Sequence, residues 1–537
     1  MSSVRGILRL YINKAVPFKF RGINFNFDLS QGLFSSAGVD GGTKFLLKIF
    51  SQIVDEDIAA GKSPPLRVLD AGCGTGVIGI CAAAALAPLV NGGGGFSVRC
   101  QDRDELARLI TTHNAAINGI SPALLEAYTE PLLAGLPLVE RLGAWDLILT
   151  NIPAKAGTPV LADFVRRSVG LLNPGGRVIM VAVRTLADFF REQIALAAEA
   201  ELLQEHQGPG HSVLVYGQAA HQKQTAAPVN GGPDFIKRHP FYVRAEITRA
   251  IEDIPIHLTT IHGASGFDNP GGAVLAAAKL ARRLQFSLDG APLLVHEPGQ
   301  GFFPCWLLAL KNITTEDTEG GGGLRKLSIS TLEDCCPKDS CPDSLEFLRE
   351  RELGTLSIAG AELRRGISQL QLRETPCLNL NAIPQTGPVV LSGRNILALE
   401  AARYNVIHSA TQNVRQNVIR RDGIDGITAA VVPVADLQQG ETALLQAAGG
   451  RPYGCIAAFP ELLPQSSLPK MTKAHQEHDQ LGAIWDAAPP LLAEGGIFLV
   501  TFSSSDAERF DRKKPAGFTR LGSVKRNGFR ALAYRRR

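Results

Sequence analysis

Asp70 is followed by three closely spaced glycines, Gly72, Gly74 and Gly76. Glycine has no Cβ, so the backbone of this segment can lie directly against a ligand. The apolar run that starts at Val77 predicts a helix whose first N–H groups point at the same ligand. The Asp70 carboxylate repels a pyrophosphate and therefore favours a cationic ligand without phosphates, such as S-adenosylmethionine, over NAD. An ordinary tight turn between a strand and a helix is the alternative reading of the glycines alone.

Polar side chains also follow three later strands of the predicted order. Asp102 comes after the strand 96–100, where an acidic residue is placed to bind ribose hydroxyls. Asp104 is the alternative for that role, and either aspartate can instead cap the next helix. Glu130 follows a third strand, where an adenine amino group would lie, and Asn151 follows a fourth strand. The pattern predicts one binding site built from strand ends.

A second glycine-rich turn lies upstream of these residues. It contains Phe34, Asp40, Gly42 and Thr43, and the apolar helix 45–54 comes directly after it. The segment is placed to form the other wall of the same pocket. A plain loop with a helix cap is the alternative interpretation.

Strands alternate with helices and glycine turns through the first 190 residues, which predicts a doubly wound α/β fold. Ligands of such folds bind at the carboxyl ends of the strands, where Asp70, Asp102, Glu130 and Asn151 all fall. Residues 1–34 alternate like strands and predict a β extension before this domain.

The same order of elements then starts again. Gly299 is expected to take the place of Gly72, and Asn405 that of Asn114. We therefore predict two tandem Rossmann-like domains over 1–204 and 235–537. The polar stretch 205–234 is expected to be a linker, and about 312–386 an insertion in the second domain.

The second copy departs from the first at the residues that could do chemistry. Glu297, Gly299 and Gly301 remain, but Gly393 or Ser392 stands where the first copy has Asp102. The segment Phe459-Pro460-Glu461-Leu462 occupies the place of Asn151 and its neighbours. We expect a degenerate copy that contributes stability or substrate docking.

Composition restricts the class of protein. The chain has 537 residues, of which 45% are hydrophobic and 20% charged, as in soluble globular proteins. No apolar run reaches the ~18 residues that a membrane span needs, and no signal pattern is visible, so a cytoplasmic location is expected. The formal net charge of +4 permits nucleic acid as a partner but does not argue for it. The nine cysteines include no C-x-x-C pair, so no metal is expected.

These motifs together resemble the "methyltransferase small" family of class I S-adenosylmethionine-dependent methyltransferases, which includes tandem-domain bacterial enzymes that methylate guanine N2 of ribosomal RNA. Residues 33–47 resemble the family's V-F-S-x-x-G-x-D-x-G-S segment, with Thr43 in the serine place. Residues 68–76 match V-L-D-x-G-C-G-x-G in full, and Asp102 supplies the acidic strand end. The segment from Thr150 to Gly157 takes the place of S-N-P-P-F-H-x-G. The resemblance covers about residues 35–190.

The resemblance implies S-adenosylmethionine as cofactor and RNA as partner, without a metal and without a membrane. It assigns catalysis to Asn151 and Pro153, because relatives use the Asn oxygen and a following carbonyl to orient the target amino group. The residues expected to bind the cofactor line both walls of the pocket: Phe34, Asp40, Gly42, Thr43, Asp70, Gly72, Gly74, Gly76, Asp102, Glu130 and Asn151. The chain can be a monomer or a homodimer.

The departure from the family lies in the target motif. Ala154 replaces the aromatic that stacks on the base in relatives, and Lys155 replaces the histidine. The stacking surface must then come from elsewhere or be missing. Methylation of a protein side-chain amide or a small molecule is therefore one alternative, and a non-catalytic module that binds S-adenosylmethionine or RNA is another. The basic residues that could contact RNA phosphates lie in the second copy: Lys237, Arg238, Arg244 and Arg535–Arg537.

Overall fold

The computed structural model describes residues 8–90, 95–134, 144–219, 234–286, 290–319, 387–416, 428–462 and 480–537. These residues form two seven-stranded sheets, each preceded along the chain by a two-stranded hairpin. We call residues 8–219 the first repeat and residues 234–537 the second repeat.

The described residues of the first repeat include nine strands and five helices, besides a helical turn over residues 8–11. The strands are β1 (Ile12–Phe20), β2 (Ile23–Ser30), β3 (Arg67–Ala71), β4 (Ser97–Asp102), β5 (Leu125–Thr129), β6 (Trp145–Asn151), β7 (Leu172–Val183), β8 (Ala200–Gln207) and β9 (His211–Gln218). The helices are α1 (Gly41–Ala59), α2 (Val77–Leu86), α3 (Glu105–Ile117), α4 (Thr158–Gly170) and α5 (Ala187–Leu196).

The sheet of the first repeat has the order β5-β4-β3-β6-β7-β9-β8. The strands from β5 to β7 are parallel, whereas β9 runs antiparallel to both β7 and β8. The chain reverses its direction of winding beside β3, so the carboxyl ends of β3, β4 and β6 open onto one crevice.

Burial on both faces explains the apolar sequence of β3. Val68 packs in a core with α1 and α2, whereas Leu69 packs in a core with α4 on the other face of the sheet. Helix α1 buries Leu46, Phe50 and Ile53, which recur at helical spacing along one side. The helices thus fix the end of β3, and with it Asp70, in the middle of the sheet.

The second repeat repeats this architecture with nine strands and seven helices among its described residues. Its strands are β10 (Val243–Ile251), β11 (Ile254–Ile261), β12 (Leu293–His296), β13 (Val389–Gly393), β14 (Ala429–Pro433), β15 (Tyr453–Ala458), β16 (Leu492–Ser503), β17 (Phe518–Arg526) and β18 (Phe529–Arg536). Its helices are α6 (Phe235–Arg238), α7 (Gly272–Arg283), α8 (Phe302–Glu319), α9 (Ile396–Gln416), α10 (Glu441–Ala447), α11 (Gln480–Leu491) and α12 (Ser504–Arg512).

The two sheets have the same topology. The order of the second is β14-β13-β12-β15-β16-β18-β17, which corresponds strand by strand to the first. Asn114 donates to the carbonyls of Asp28 and Thr75, and Asn405 donates in the same way to those of Thr259 and Gln300. The predicted fold, two tandem Rossmann-like repeats, is therefore confirmed, as is the pairing of Asn114 with Asn405.

The predicted pairing of Gly72 with Gly299 is wrong by two residues. The N–H of Gly76 donates to the Cys73 carbonyl, and the N–H of Gly301 makes the same bond to Pro298. Gly299 is therefore equivalent to Gly74, with φ values of 56° and 57°. The residue that takes the place of Gly72 is Glu297.

The expected linker is also wrong over its first part. Residues 205–218 belong to β8 and β9, which complete the first sheet, and residues 220–233 lie outside the described part of the chain. The signal was weak because β8 is an edge strand whose side chains are partly exposed, so apolar alternation is lost. The hairpin β1–β2 is matched by β10–β11, so it belongs to the repeat unit. The expected insertion, 312–386, lies almost wholly outside the described residues.

The two repeats meet through equivalent residues. Asp104 and Asn395 form an isolated antiparallel bridge, in which Glu105 N–H donates to the Arg394 carbonyl and Ile396 N–H to the Arg103 carbonyl, both at 2.9 Å. Arg103 and Arg394 occupy the same position in their repeats. The contact therefore has local two-fold character.

The arginine side chains extend this symmetry. Arg103 donates to the Gly263 carbonyl at 2.9 Å, and Arg394 donates to the equivalent Gly32 carbonyl at 2.8 Å. Only Arg394 also finds a carboxylate, since it binds Asp104 through two hydrogen bonds, the shorter of 2.6 Å. The backbone hydrogen bonds of the contact are thus symmetric, whereas the ion pair with Asp104 is made by Arg394 and not by Arg103.

Candidate active site

The glycine turn after β3 leaves room for a ligand. Gly72, Gly74 and Gly76 have φ values of 81°, 57° and 82°, in the left-handed region that favours glycine. A Cβ built on Gly76 would lie 2.8 Å from the Thr111 side chain, so that glycine is required by packing. A Cβ on Gly74 would meet nothing within 4 Å among the described residues, and one on Gly72 would meet only Leu132 at 3.6 Å. The backbone of the turn therefore borders open space.

Asp70 lies buried beneath this turn. Its Oδ2 accepts a hydrogen bond from the Gly79 N–H at 2.8 Å, whereas its Oδ1 is buried without a hydrogen-bond partner among the described residues. Burial raises the pKa of the Asp70 carboxyl to about 7, although the Gly79 N–H acts in the opposite direction. An orphaned buried carboxylate oxygen is a site for a cation or an N–H donor.

Asp102, at the end of β4, faces the same turn. Its Oδ2 accepts from the Gly74 N–H and its Oδ1 from the Asp104 N–H, both at 3.0 Å. Burial, and next the neighbouring charge of Asp104, raise the pKa of Asp102 above its ordinary value. The carboxylate thus ties the glycine turn to the strand end, where ribose hydroxyls were expected.

Asp104, the alternative to Asp102, has other partners. It accepts from the Leu106 N–H as the cap of α3, and it pairs with Arg394 at 2.6 Å. Glu130 lies after β5, where its N–H donates to the Asp102 carbonyl at 2.7 Å and its carboxylate pairs with Arg99 at 2.8 Å. Both residues border the site, but Asp104 is engaged in joining the repeats.

The Asn151 side chain is held by the upstream wall. Its amide nitrogen donates to Oδ1 of Asp40 at 3.2 Å and to Oγ1 of Thr43 at 3.1 Å. Asp40 in turn accepts from Ser35 at 2.9 Å and, as the cap of α1, from the Thr43 N–H at 3.0 Å. Burial raises the pKa of Asp40, but the hydrogen bonds from Thr43, Ser35 and Asn151 outweigh it and hold the pKa below its ordinary value.

This network fixes the direction of the Asn151 amide. The reversed orientation would turn the amide oxygen toward the Asp40 carboxylate, which is also an acceptor. With the nitrogen held by Asp40 and Thr43, Oδ1 of Asn151 is left to accept a hydrogen bond from a substrate. Sequence analysis placed these three residues near one another but did not predict this contact.

The other residues of the upstream wall have different surroundings. Phe34 is 71% exposed, so its ring lies largely in solvent. A Cβ on Gly42 would lie 3.0 Å from both Asp40 and the ring of His211, so this glycine permits close packing. His211, at the start of β9, was not identified from the sequence because its strand was assigned to a linker.

The target loop follows β6. The Pro153 carbonyl accepts from the Ala156 N–H at 2.9 Å within a short turn, Ala154–Ala156. Gly157 has φ of 96°, and a Cβ there would lie 2.5 Å from Nδ1 of His262 in the second repeat. The loop that carries the target motif is therefore packed directly against the second repeat. No local sequence signal predicts that contact.

The equivalent site of the second repeat carries side chains where the first repeat has its open glycine turn and Asn151. Glu297 has φ of 55° at the place of Gly72, and its carboxylate accepts from the Arg394 N–H at 2.9 Å. That carboxylate lies where a Cβ on Gly393 would be only 3.0 Å away, and burial raises the pKa of Glu297 to about 7. Phe459 stands in the place of Asn151, as predicted, and packs on Phe303 with ring centroids 5.2 Å apart.

The groups that the first repeat offers at this site fit S-adenosylmethionine. Gly72 and Gly74 leave space for a ligand against the backbone of the turn. Oδ1 of Asp70, which has no hydrogen-bond partner among the described residues, suits a cationic ligand, and the Asp102 carboxylate can accept hydrogen bonds from hydroxyl groups. The second repeat lacks both the open glycine and the acidic strand end.

Several basic residues expected to meet phosphates are engaged within the second repeat. Arg244 pairs with Asp268 at 3.0 Å, and Lys237 pairs with Asp234 at 3.8 Å. Arg536 donates to the Pro489 carbonyl. No helix within the described residues is both long and apolar enough to cross a membrane.

Comparisons with known proteins agree with the first repeat. Residues 24–199 match the model of the methyltransferase small domain. A ribosomal RNA small subunit methyltransferase C of Chromohalobacter salexigens is 26% identical over 189 residues, which is 33% of this chain and 50% of that protein. A ribosomal protein L11 methyltransferase of Rhodopseudomonas palustris is 28% identical over 155 residues, 27% of this chain and 49% of that protein. The chain spans about half the length of these curated relatives.

Among solved structures, the Thermus thermophilus 16S rRNA N2 methyltransferase RsmC, in complex with AdoMet and guanosine, aligns with 98% of this chain and 100% of its own. The identity is 13% and the TM-score 0.48. The family model and the motif residues carry the assignment. Over residues 24–199 this chain matches the methyltransferase small domain, and it carries the motif residues of that domain.

Proposed function

We propose that this chain transfers the methyl group of S-adenosylmethionine to an exocyclic amino nitrogen of an RNA base, with guanine N2 of ribosomal RNA as the preferred target. The observation that carries the proposal is the fixed amide of Asn151, whose nitrogen is bound by Asp40 and Thr43. An amino group needs an acceptor at this point, and Oδ1 of Asn151 is one. A carboxylate substrate would be repelled there.

Each group at the site has a part in this proposal. When bound, S-adenosylmethionine supplies an electrophilic methyl group on its sulfonium. Asp70 and the glycine turn hold the cationic end, and Asp102 holds the ribose. Asn151 accepts a hydrogen bond from the target amino group, which aims the nitrogen lone pair away from the amide and into the pocket. Orientation of this kind lowers a barrier without a covalent or metal-bound step.

Two features support RNA as the substrate. One relative is named as a ribosomal RNA methyltransferase, and the target motif keeps its Asn and its second proline, Pro153. A second candidate, methylation of a protein side-chain amide, is favoured by Ala154, which leaves no aromatic in the target motif. The relative named as a ribosomal protein methyltransferase agrees with that candidate.

The test is transfer of tritiated methyl groups to fractionated RNA, protein and metabolites from cells that lack the enzyme. Label in ribosomal RNA that digests to N2-methylguanosine supports the proposal, whereas label confined to protein supports the second candidate. Asn151→Ala is expected to lower kcat about 100-fold or more, as loss of an aligned hydrogen-bonding group does. Its affinity for S-adenosylmethionine should change little. A variant that binds the cofactor and transfers methyl groups at the normal rate would remove Asn151 from the mechanism.

A further inference from the structure

The loop of the second repeat that follows β11 borders the target loop of the first. His262, the first residue of that loop, lies against Gly157, which has no side chain to separate them. The loop continues through Gly263, Ser265 and Phe267. This loop of the second repeat therefore borders the target loop of the first repeat.

A cavity of about 550 Å³ lies at this junction. Its walls include Glu297, Asn395 and Glu461, which follow strands of the second repeat. Phe267 of the second repeat and Lys155 of the target loop also line it. Lys155 is exposed and makes no ion pair among the described residues. Lys155 is only four residues along the chain from Asn151, so this cavity borders the loop that carries the target motif.

Phe267 is an unusual residue for an exposed position. Its side chain is 60% exposed and its φ is 42°, a backbone conformation that is strained for a bulky residue. Strain of this kind persists where the surrounding structure enforces it and is concentrated at functional sites. Both the exposure and the strain indicate a role outside the core.

The ring is supported from one side. The guanidinium carbon of Arg244 lies 5.3 Å from the ring centroid of Phe267. Arg244 is itself held by Asp268, whose Oδ1 also accepts from Thr260 at 2.7 Å. A cation thus holds the ring from one side, while the residue remains 60% exposed.

We propose that Phe267 is the stacking surface for an unpaired base of the RNA substrate, with Lys155 binding an adjacent phosphate. This inference rests on the proposed function and deepens it. It supplies, from the second repeat, the aromatic that Ala154 removes from the target motif. An exposed aromatic ring and a cation on the walls of one cavity are the kind of groups by which single-stranded nucleic acid is bound without sequence preference.

The test compares Phe267→Ala, Phe267→Leu and Phe267→Trp with a matched control, Phe529→Ala. Phe529 is another exposed phenylalanine of the second repeat, at 38%, and it is not among the residues that line the cavity. The first measurement is methyl transfer to RNA by the unaltered protein, which tests the proposed function alone. The second is quenching of a single-stranded RNA that contains 2-aminopurine, with S-adenosylhomocysteine bound so that no turnover occurs.

Stacking predicts that Phe267→Ala raises KM for RNA and the dissociation constant of the probe about 10- to 100-fold, with quenching lost. Affinity for S-adenosylmethionine should be unchanged. Phe267→Trp should keep quenching, and Phe267→Leu, which keeps apolar volume without a π face, should lose it. Wild-type quenching in Phe267→Leu, or equal losses in Phe529→Ala, would overturn the inference while methyl transfer to RNA still stood. If the unaltered protein labels protein rather than RNA, the proposed function and this inference are both overturned.

Discussion

The asymmetric charge at the contact between the repeats gives a quantitative prediction. Arg394 and Arg103 are equivalent, but Arg394 binds Asp104 and the Gly32 carbonyl, whereas Arg103 donates one hydrogen bond of 2.9 Å to the Gly263 carbonyl. The Arg394 and Asp104 side chains are only 14% and 20% exposed. Removing one partner of a fully buried pair costs about 3–5 kcal/mol.

Water reaches part of this pair, so we expect Arg394→Ala to lower the free energy of unfolding by about 2–3 kcal/mol. Arg103→Ala loses a single hydrogen bond of an exposed guanidinium, which contributes about 0.5–1.5 kcal/mol. The assay is urea denaturation of both variants, comparing the first transition with that of the unaltered protein. Equal losses would refute the reasoning, because the backbone contacts of the two arginines are the same.

The same substitution should weaken cofactor binding. Gly32 begins the segment that carries Asp40, and the N–H of Asp104 holds Asp102. Arg394 therefore joins both walls of the site in the first repeat. Isothermal titration should give a dissociation constant for S-adenosylmethionine about fivefold higher in Arg394→Ala, since about 1 kcal/mol of lost ordering corresponds to that factor. Arg103→Ala should bind within twofold of the unaltered protein.

Two further predictions concern the carboxylates of the site. Asp40→Asn keeps the size of the side chain but can turn an NH₂ group toward Asn151 and stabilise its reversed orientation. We expect kcat to fall about 3- to 10-fold with KM for S-adenosylmethionine nearly unchanged, independently of pH between 6 and 9 because Asp40 is ionised throughout. Burial raises the pKa of Asp70 to about 7, and a cation needs the ionised carboxylate. Affinity for S-adenosylmethionine should therefore fall about tenfold per unit below pH 7 and level off above it. Asp70→Asn should bind weakly with no such dependence, and a parallel slope in that variant would assign the titration to another group.

Local signals were sufficient to predict the elements of the first repeat. The buried strand before Asp70, the glycines after it and the helix from Val77 all lie within a few residues of one another, so their order alone predicts a binding turn. Asn151 could be named for the same reason. The bond from Asn151 to Asp40 could not, because it joins residues that are 111 positions apart.

The missed features are those set by tertiary contacts. Strand β8 lies at the edge of the sheet, and solvent on one side removes the apolar alternation on which strand prediction depends. The equivalence of Glu297 with Gly72 was missed because a glutamate seldom adopts positive φ, so the nearest glycine, Gly299, was aligned instead. Arg394 has no motif of its own, and only the packing of the repeats brings it to Asp104.

The bridge between Asp104 and Asn395 bears on the ancestry of the chain. One residue that pairs with its own counterpart across a local two-fold axis is the contact of an isologous homodimer. At this bridge the two repeats meet as the subunits of such a dimer do, but within one polypeptide. A homodimer must carry every substitution in both of its sites, whereas a fused gene can change one and keep the other. A fused chain can therefore hold Glu297 at one of two equivalent positions and keep Gly72 at the other.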